Sequence, residues 1–141
     1  MLFRSINALG IATRIGAGHW SDVVGSRLAP LRLIALAMTA LVAATAALVG
    51  APLWLLVPLL VVTGCVAISW NGLAFAAVAE VAGPARSGSA LGLQQTALAV
   101  SGGILPVVFG ALVAATSWEL GIASTALLAL AGWFTLRGLS G

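Results

Sequence analysis

No charged side chain interrupts residues 53–79, which read LWLLVPLLVVTGCVAISWNGLAFAAVA. An α-helix rises ~1.5 Å per residue and a bilayer core is ~30 Å thick, so ~20 apolar residues suffice to cross it. This stretch is therefore long enough to span a membrane as a helix. Three further apolar runs of similar character flank it, at residues 30–50, 89–116 and 118–136.

The composition of the chain supports the same conclusion. Hydrophobic residues make up 62% of the 141 positions and charged residues 6%, whereas the surface of a soluble protein is about a quarter charged or more. We therefore predict an all-α fold, a polytopic bundle of membrane-spanning helices that forms a single transmembrane domain over residues 1–141. The lipid bilayer is then the main environment of the chain.

The N-terminal segment, residues 2–20, is harder to interpret because Arg4, Asn7, Arg14 and His19 interrupt its apolar residues. A signal peptide fits poorly, since Arg14 divides the apolar region and no small-residue cleavage site follows a clean apolar run. Charged residues are tolerated in a membrane helix that faces a bundle interior or a water-filled cavity. We therefore predict a fifth, polar transmembrane helix over residues 2–20.

The arginines between the predicted spans indicate the orientation. With five spans, the turns at residues 21–29 and 81–88 share one side with the C-terminus, and that side collects Arg27, Arg32, Arg86 and Arg137. Cytoplasmic loops of membrane proteins are enriched in Lys and Arg. We therefore predict an integral protein of the cell (plasma or inner) membrane, with the N-terminus outside and the C-terminus in the cytoplasm.

Residues 18–27 read GHWSDVVGSR, and this segment resembles the signature of the major facilitator superfamily. The signature consists of a glycine, an aspartate four residues on, a glycine three further and then a basic residue, here Gly18, Asp22, Gly25 and Arg27. Val23 stands where the family usually has a basic residue. Ser26 likewise replaces one of the terminal basic pair, so the cationic part of the motif is reduced.

A second segment agrees with the same family. Residues 79–92 read AEVAGPARSGSALG, similar to the turn that the family has between its tenth and eleventh helices. The resemblance implies that this chain corresponds to helices eight to twelve, a partial C-terminal bundle. The N-terminal bundle and one helix would then be missing.

The resemblance also implies a function. The chain would be the C-terminal fragment of a secondary active transporter, which moves a small-molecule solute by alternating access and is not competent without its missing N-terminal half. The alternative is a small homo-oligomeric membrane protein or a non-transporting partner subunit.

The signature and nearby charges suggest a gating site. Gly18 would permit close approach of helices and Gly25 a turn with positive φ. We expect Arg27 and Arg32 to lie among anionic headgroups, and Asp22 to be stabilised by Arg14, by Arg86 or by the N-terminus of the helix that starts near Ser87. The family resemblance implies a further alternative, a partner helix in the missing half. A second pair, Arg14 with Glu80, would join two helices. The predicted gating residues are Gly18, Asp22, Gly25, Arg27, Arg14, Glu80 and Arg86, which would otherwise be static interfacial ion pairs.

Polar residues at mid-depth suggest a solute path. Small hydroxyls can bond to their own helix, whereas amides need an external partner, so the first, third and fourth spans should face a cavity. The second and fifth should face lipid or the periphery. The residues of this predicted path are Arg4, Asn7, Trp70, Asn71, Gln94, Gln95, Thr96 and Ser101, and each is either a solute contact or a bond between helices. Arg4 would attract an anion if buried, or extend to the interface if exposed.

Other classes of function find no support in the residues. Three carboxylates, one His and the single Cys65 offer no arrangement of nucleophile, base and orienting group, and no thiolate metal site within one chain. The six arginines are scattered rather than clustered with aromatic residues. We therefore expect no enzyme activity, no cofactor or metal, and no nucleic-acid partner.

Overall fold

The computed structural model describes the backbone of residues 2–139 and the side chains of residues 10–139. Helices make up most of this part of the chain, and no strand occurs in it. The five helices are α1 (Leu2–Val24), α2 (Leu28–Ala47), α3 (Leu53–Ala82), α4 (Ser87–Ala115) and α5 (Trp118–Arg137). The all-α prediction is confirmed, and the helices begin and end within a few residues of the predicted spans.

The ends of the helices follow from local chemistry. Gly25 has φ +65° and Gly83 has φ +71°, a region that other residues enter at a cost. Gly25 thus supplies the predicted tight turn after α1, and Gly83 ends α3. Pro52 precedes α3, and the Ser117 side chain caps α5 by accepting a hydrogen bond from the Leu120 N–H.

Helices α2, α3, α4 and α5 are each long and apolar enough to cross a membrane. The chain is therefore an integral membrane protein. Helix α1 is not among these four, because its polar residues lower its hydropathy. That α1 crosses the bilayer as a polar fifth span remains a prediction.

The helices pack in a defined pattern. The most extensive contact joins α2 to α5, followed by α1 with α3 and α2 with α3, while α3 with α4, α4 with α5 and α1 with α2 meet over less surface. Buried apolar side chains are few in the described structure, and several are small, including Ala46, Cys65 and Ala126. Small residues are typical of membrane helix interfaces because they let backbones approach closely.

This packing partly corrects the expected division between cavity-facing and peripheral helices. Helix α2 was expected at the periphery, yet it contacts α1, α3 and α5 and contains four buried residues. Its many alanines allow this close approach. Helix α4, by contrast, contains no buried residue in the described structure.

Gly121 lies at a close contact between α5 and α4. A Cβ atom built there would collide with the Val113 Cγ2 atom, and Phe109 lies just beyond, 3.4 Å away. We expect Gly121→Ala to destabilise the bundle by about 1–3 kcal/mol, the usual effect of overpacking. Thermal unfolding in detergent measures the change. Gly110→Ala is the control, since a Cβ atom there meets nothing within 4 Å; equal effects of the two substitutions would contradict the assignment.

Candidate functional site

Arg27 lies at the centre of a charged cluster between the ends of α1 and α3. Its Nη1 atom donates to Asp22 Oδ1 at 2.5 Å, and its Nε atom donates to Glu80 Oε1 at 2.9 Å. The same Nη1 atom also donates to Ser21 Oγ at 3.0 Å. One guanidinium therefore joins the last turn of α1 to the last turn of α3.

Ser21 is a buried residue of this cluster. It is 1% exposed, and its hydroxyl donates to the Ser26 carbonyl at 3.1 Å while accepting from Arg27. The tight turn at Gly25 folds the chain back so that Arg27 returns to the helix end that carries Asp22. The local sequence thus places the Arg27 guanidinium beside the end of α1, and no residue distant in sequence is needed for this contact.

The electrostatics of the cluster are those of a partly exposed site. The Arg27 side chain is 28% exposed, against 63% for Asp22 and 55% for Glu80. The hydrogen bonds to Glu80 and then to Asp22 raise the pKa of Arg27 above its ordinary value, so the guanidinium stays charged. Solvent screens such pairs, and each contributes little alone. The main effect of the cluster is that Arg27, as a shared cation, links the ends of α1 and α3.

The structure corrects the expected partner of Asp22. Arg14, Arg86 and the N-terminus of α4 were the expected alternatives, but the partner is Arg27. Arg86 is exposed in the turn before α4 and forms no ion pair with any residue that the structure describes. Contact of Arg27 with headgroups stays a prediction, because its side chain is partly exposed as well as paired.

The expected pair between Arg14 and Glu80 is also wrong. Helices α1 and α3 run parallel in a register that brings Arg14 Nε to the Ile68 carbonyl, at 3.2 Å. Glu80 lies twelve residues further along α3, or ~18 Å at ~1.5 Å per residue. Glu80 pairs instead with Arg27, which lies beside the same end of α3.

Two other expectations concern Gly18 and Arg32. No atom within the described part of the chain comes within 4 Å of a Cβ built at Gly18, so this glycine does not mediate a helix contact there. Arg32 donates from Nε to the Leu136 carbonyl at 3.0 Å and from Nη2 to the Leu139 carbonyl. It therefore binds one carbonyl in the last turn of α5 and one just after that helix, and its expected contact with headgroups stays a prediction.

A cleft of about 1090 Å³ opens beside the charged cluster. Residues of all four helices α2 to α5 or their flanking turns line it, including Arg27, Arg32 and Glu80 together with apolar side chains such as Leu31 and Val78. The cleft could not be predicted from the sequence, because its lining residues come from several helices and turns that are distant in sequence.

The structure describes the side chains of only some residues of the predicted solute path. Arg4 and Asn7 fall outside the residues whose side chains are described. Trp70 and Asn71 are half-buried on α3, as is Gln94 on α4, and its Oε1 atom is buried without a hydrogen-bond partner in the described structure.

The remaining path residues lie on the uncovered helix. Gln95, Thr96 and Ser101 are exposed on α4, and the Thr96 hydroxyl bonds to its own helix at the Gly92 carbonyl, 2.9 Å away. Among the path residues whose side chains the structure describes, none lines the cleft beside Arg27. The structure therefore does not bring these described residues together in that cleft.

Comparison with known proteins identifies relatives. The chain is 40% identical over 116 residues to an uncharacterized MFS-type transporter of Mycobacterium tuberculosis strain CDC 1551, a match that covers 79% of this chain and 26% of the relative. It is 39% identical, with the same coverage, to an uncharacterized MFS-type transporter of strain H37Rv. The resemblance to the major facilitator superfamily is confirmed. This chain spans about a quarter of the length of these transporters.

The relationship to the major facilitator superfamily rests on these sequences. No family model matches the chain, and no solved structure does. Both relatives are named as transporters, and neither name refers to an enzyme. The similarity to these transporters and the four apolar helices agree on an integral membrane protein.

Proposed function

We propose that this chain is the C-terminal part of a secondary active transporter that moves a small solute by alternating access, and that it is not competent alone. The observation that carries the proposal is the 40% identity over 116 residues to an MFS-type transporter of which the match covers 26%. Alternating access moves one bundle against another. The absent N-terminal half would be the main partner of this chain.

The packing supports one missing helix within this half. Transporter bundles are built from three-helix units related by a pseudo-two-fold axis. If α3, α4 and α5 form one complete unit, α1 and α2 are the second and third helices of the other. The axis would then relate α2 to α5, the two helices that make the most extensive contact. It would also relate the contact between α1 and α2 to the contact between α4 and α5, and these two contacts are the least extensive.

The same symmetry indicates where the missing helix would pack. Helix α3 packs against α1 and α2, so its counterpart should pack against α4 and α5. Helix α4 contains no buried residue in the described structure, as expected of a helix that lacks its main neighbours. The exposed amide of Gln95 would then face those absent partners.

Reading the genomic sequence upstream of Met1 tests the proposal. An in-frame continuation that encodes about seven more spans supports the transporter fragment. A ribosome-binding site directly before Met1, with none of those spans upstream, would contradict it and favour a small self-associating membrane protein or a partner subunit.

We further propose that the Arg27 cluster is the latch of the gate. Solvent screens each of these exposed ion pairs, so the effect of the cluster depends on both pairs acting together through Arg27. A link that is present in one of two conformations and broken in the other shifts the balance between them. The cluster stands at the arginine-rich end, which is predicted to be cytoplasmic.

Asp22→Asn tests the latch in the longer transporter. The substitution removes a charge that binds Arg27 at 2.5 Å while preserving shape, so we expect a severalfold shift between inward-open and outward-open states. The reaction rates of cavity cysteines with thiol reagents applied from either face measure this shift. Unchanged rates on both faces would exclude a latch at Asp22.

A further inference from the structure

Arg14 stands near the middle of two packed helices, α1 and α3. Its Nε atom donates to the carbonyl of Ile68 at 3.2 Å, and Ile68 lies halfway along α3, which runs Leu53–Ala82. At ~1.5 Å per residue, that carbonyl is ~20 Å from either end of the helix. Arg14 is also close to the midpoint of its own helix, α1 (Leu2–Val24).

No carboxylate of this chain neutralises Arg14. The chain has three carboxylates. Asp22 and Glu80 both pair with Arg27, and Glu119 is in the first turn of α5, a helix that does not contact α1 in the described structure. The charge of Arg14 is thus uncompensated by any side chain of opposite sign in this sequence.

The outer part of the guanidinium is available to a ligand. Arginine carries five N–H donors, and the bond to Ile68 uses the one on Nε. The four donors on Nη1 and Nη2 find no acceptor among the described residues, and Arg14 is exposed. This end of the guanidinium has the geometry that binds a carboxylate or phosphate through two parallel hydrogen bonds.

The surroundings leave space for such a ligand. Gly18 lies one turn further along α1, and Gly72 lies one turn beyond Ile68 on α3. A Cβ atom built at either glycine meets nothing within 4 Å. Asn71 lies beside Gly72, is half-buried, and its side-chain amide forms no hydrogen bond with a described residue.

We propose that Arg14 is the anion-binding residue of the solute path and that the transported solute carries a carboxylate or phosphate group. An arginine at mid-membrane is costly unless it faces a cavity and acquires a counter-charge, and such residues mark solute pathways. Asn71 supplies a second polar contact at the same level. The inference rests on the proposed transport function, because it assigns the class of solute that the transporter would move.

The test measures the charge of the site directly in this chain. The protein is reconstituted in phosphatidylcholine nanodiscs with Cys65 replaced by Ala and one new cysteine, Gly72→Cys. We compare its reaction rates with an anionic and a cationic methanethiosulfonate reagent. The reference is Gly50→Cys, where a Cβ atom is also unobstructed and no arginine is near in sequence.

We expect the ratio of anionic to cationic rates at position 72 to exceed that at position 50 by about tenfold, since an uncompensated cation nearby raises the local concentration of anions. Arg14→Gln should abolish the excess, Arg14→Lys should retain most of it, and Arg86→Gln should leave it unchanged. At constant ionic strength, inorganic phosphate or acetate should slow the reaction at position 72, and glycerol should not.

Several results would overturn the inference. These are an unreactive cysteine at position 72, equal ratios at the two positions, no effect of Arg14→Gln, or no slowing by either anion. Loss of the excess on adding phosphatidylglycerol, with phosphate and acetate ineffective, would assign Arg14 to lipid headgroups instead. The upstream genomic sequence tests the transport function separately, so a failure of the transport proposal can be distinguished from a failure of the anion site.

Discussion

Arg27→Gln is expected to release the ends of α1 and α3 from each other. The substitution removes the cation that binds Asp22 at 2.5 Å and Glu80 at 2.9 Å, and it leaves two carboxylates close together without a counter-charge. Two carboxylates held close together repel each other. The effect should exceed that of Asp22→Asn or Glu80→Gln alone, because each of those leaves one ion pair in place.

Spin labels measure this release. Val23 and Val81 suit the labels because they are 72% and 90% exposed and lie beside Asp22 and Glu80 in sequence. We expect a narrow distance distribution in the unchanged chain in nanodiscs and a distribution about twofold broader in Arg27→Gln. The control is Arg86→Gln, which removes an arginine from the neighbouring turn but breaks no ion pair in the described structure. A distribution as narrow in Arg27→Gln as in the control would show that the cluster does not link the helices.

Asn71→Leu and Gln95→Leu are expected to reduce uptake by the longer transporter by about tenfold each. An amide that binds solute or water in a membrane cavity loses that hydrogen bond on replacement by Leu, and ~1–3 kcal/mol corresponds to roughly five- to a hundredfold. Expression should change little, because Gln95 is exposed and Asn71 is half-buried in the described structure. Radiolabelled uptake normalised to membrane protein measures the loss.

The matched control is Thr39→Val on α2. The Thr39 hydroxyl bonds to its own helix at the Ala35 carbonyl, 2.9 Å away, so its removal should leave uptake within about twofold. Normal kinetics in both Asn71→Leu and Gln95→Leu would assign these amides to packing. Uptake lost only together with expression would lead to the same conclusion.

The helices themselves could be predicted from hydropathy, but the partners of the charged residues could not. Sequence spacing places Arg14 eight residues before Asp22, and this suggested that Arg14 and Glu80 would meet. The register between α1 and α3 decides instead, and Ile68 rather than Glu80 lies opposite Arg14. No local pattern encodes this register, because it depends on side-chain packing between helices distant in sequence.

Arg27 shows the same limit. Its sequence position in a loop indicated contact with headgroups, and the turn at Gly25 also returns it to Asp22 at the end of α1. The positive φ at Gly25 was foreseen from the residue type, whereas the contact with Glu80 was not. That contact requires the end of α3 to lie beside the turn.

The membrane environment, the number of helices and their approximate ends could be predicted from local sequence, because they depend on hydropathy and on residues such as Pro52, Gly83 and Ser117. The family signature at Gly18 to Arg27 is also local. By contrast, the packing of the helices was needed to show that α2 lies against three helices, that α4 stays uncovered, and that Arg27 rather than Arg14 joins α1 to α3. These properties depend on how apolar helices of similar composition choose neighbours, which small differences in side-chain shape decide.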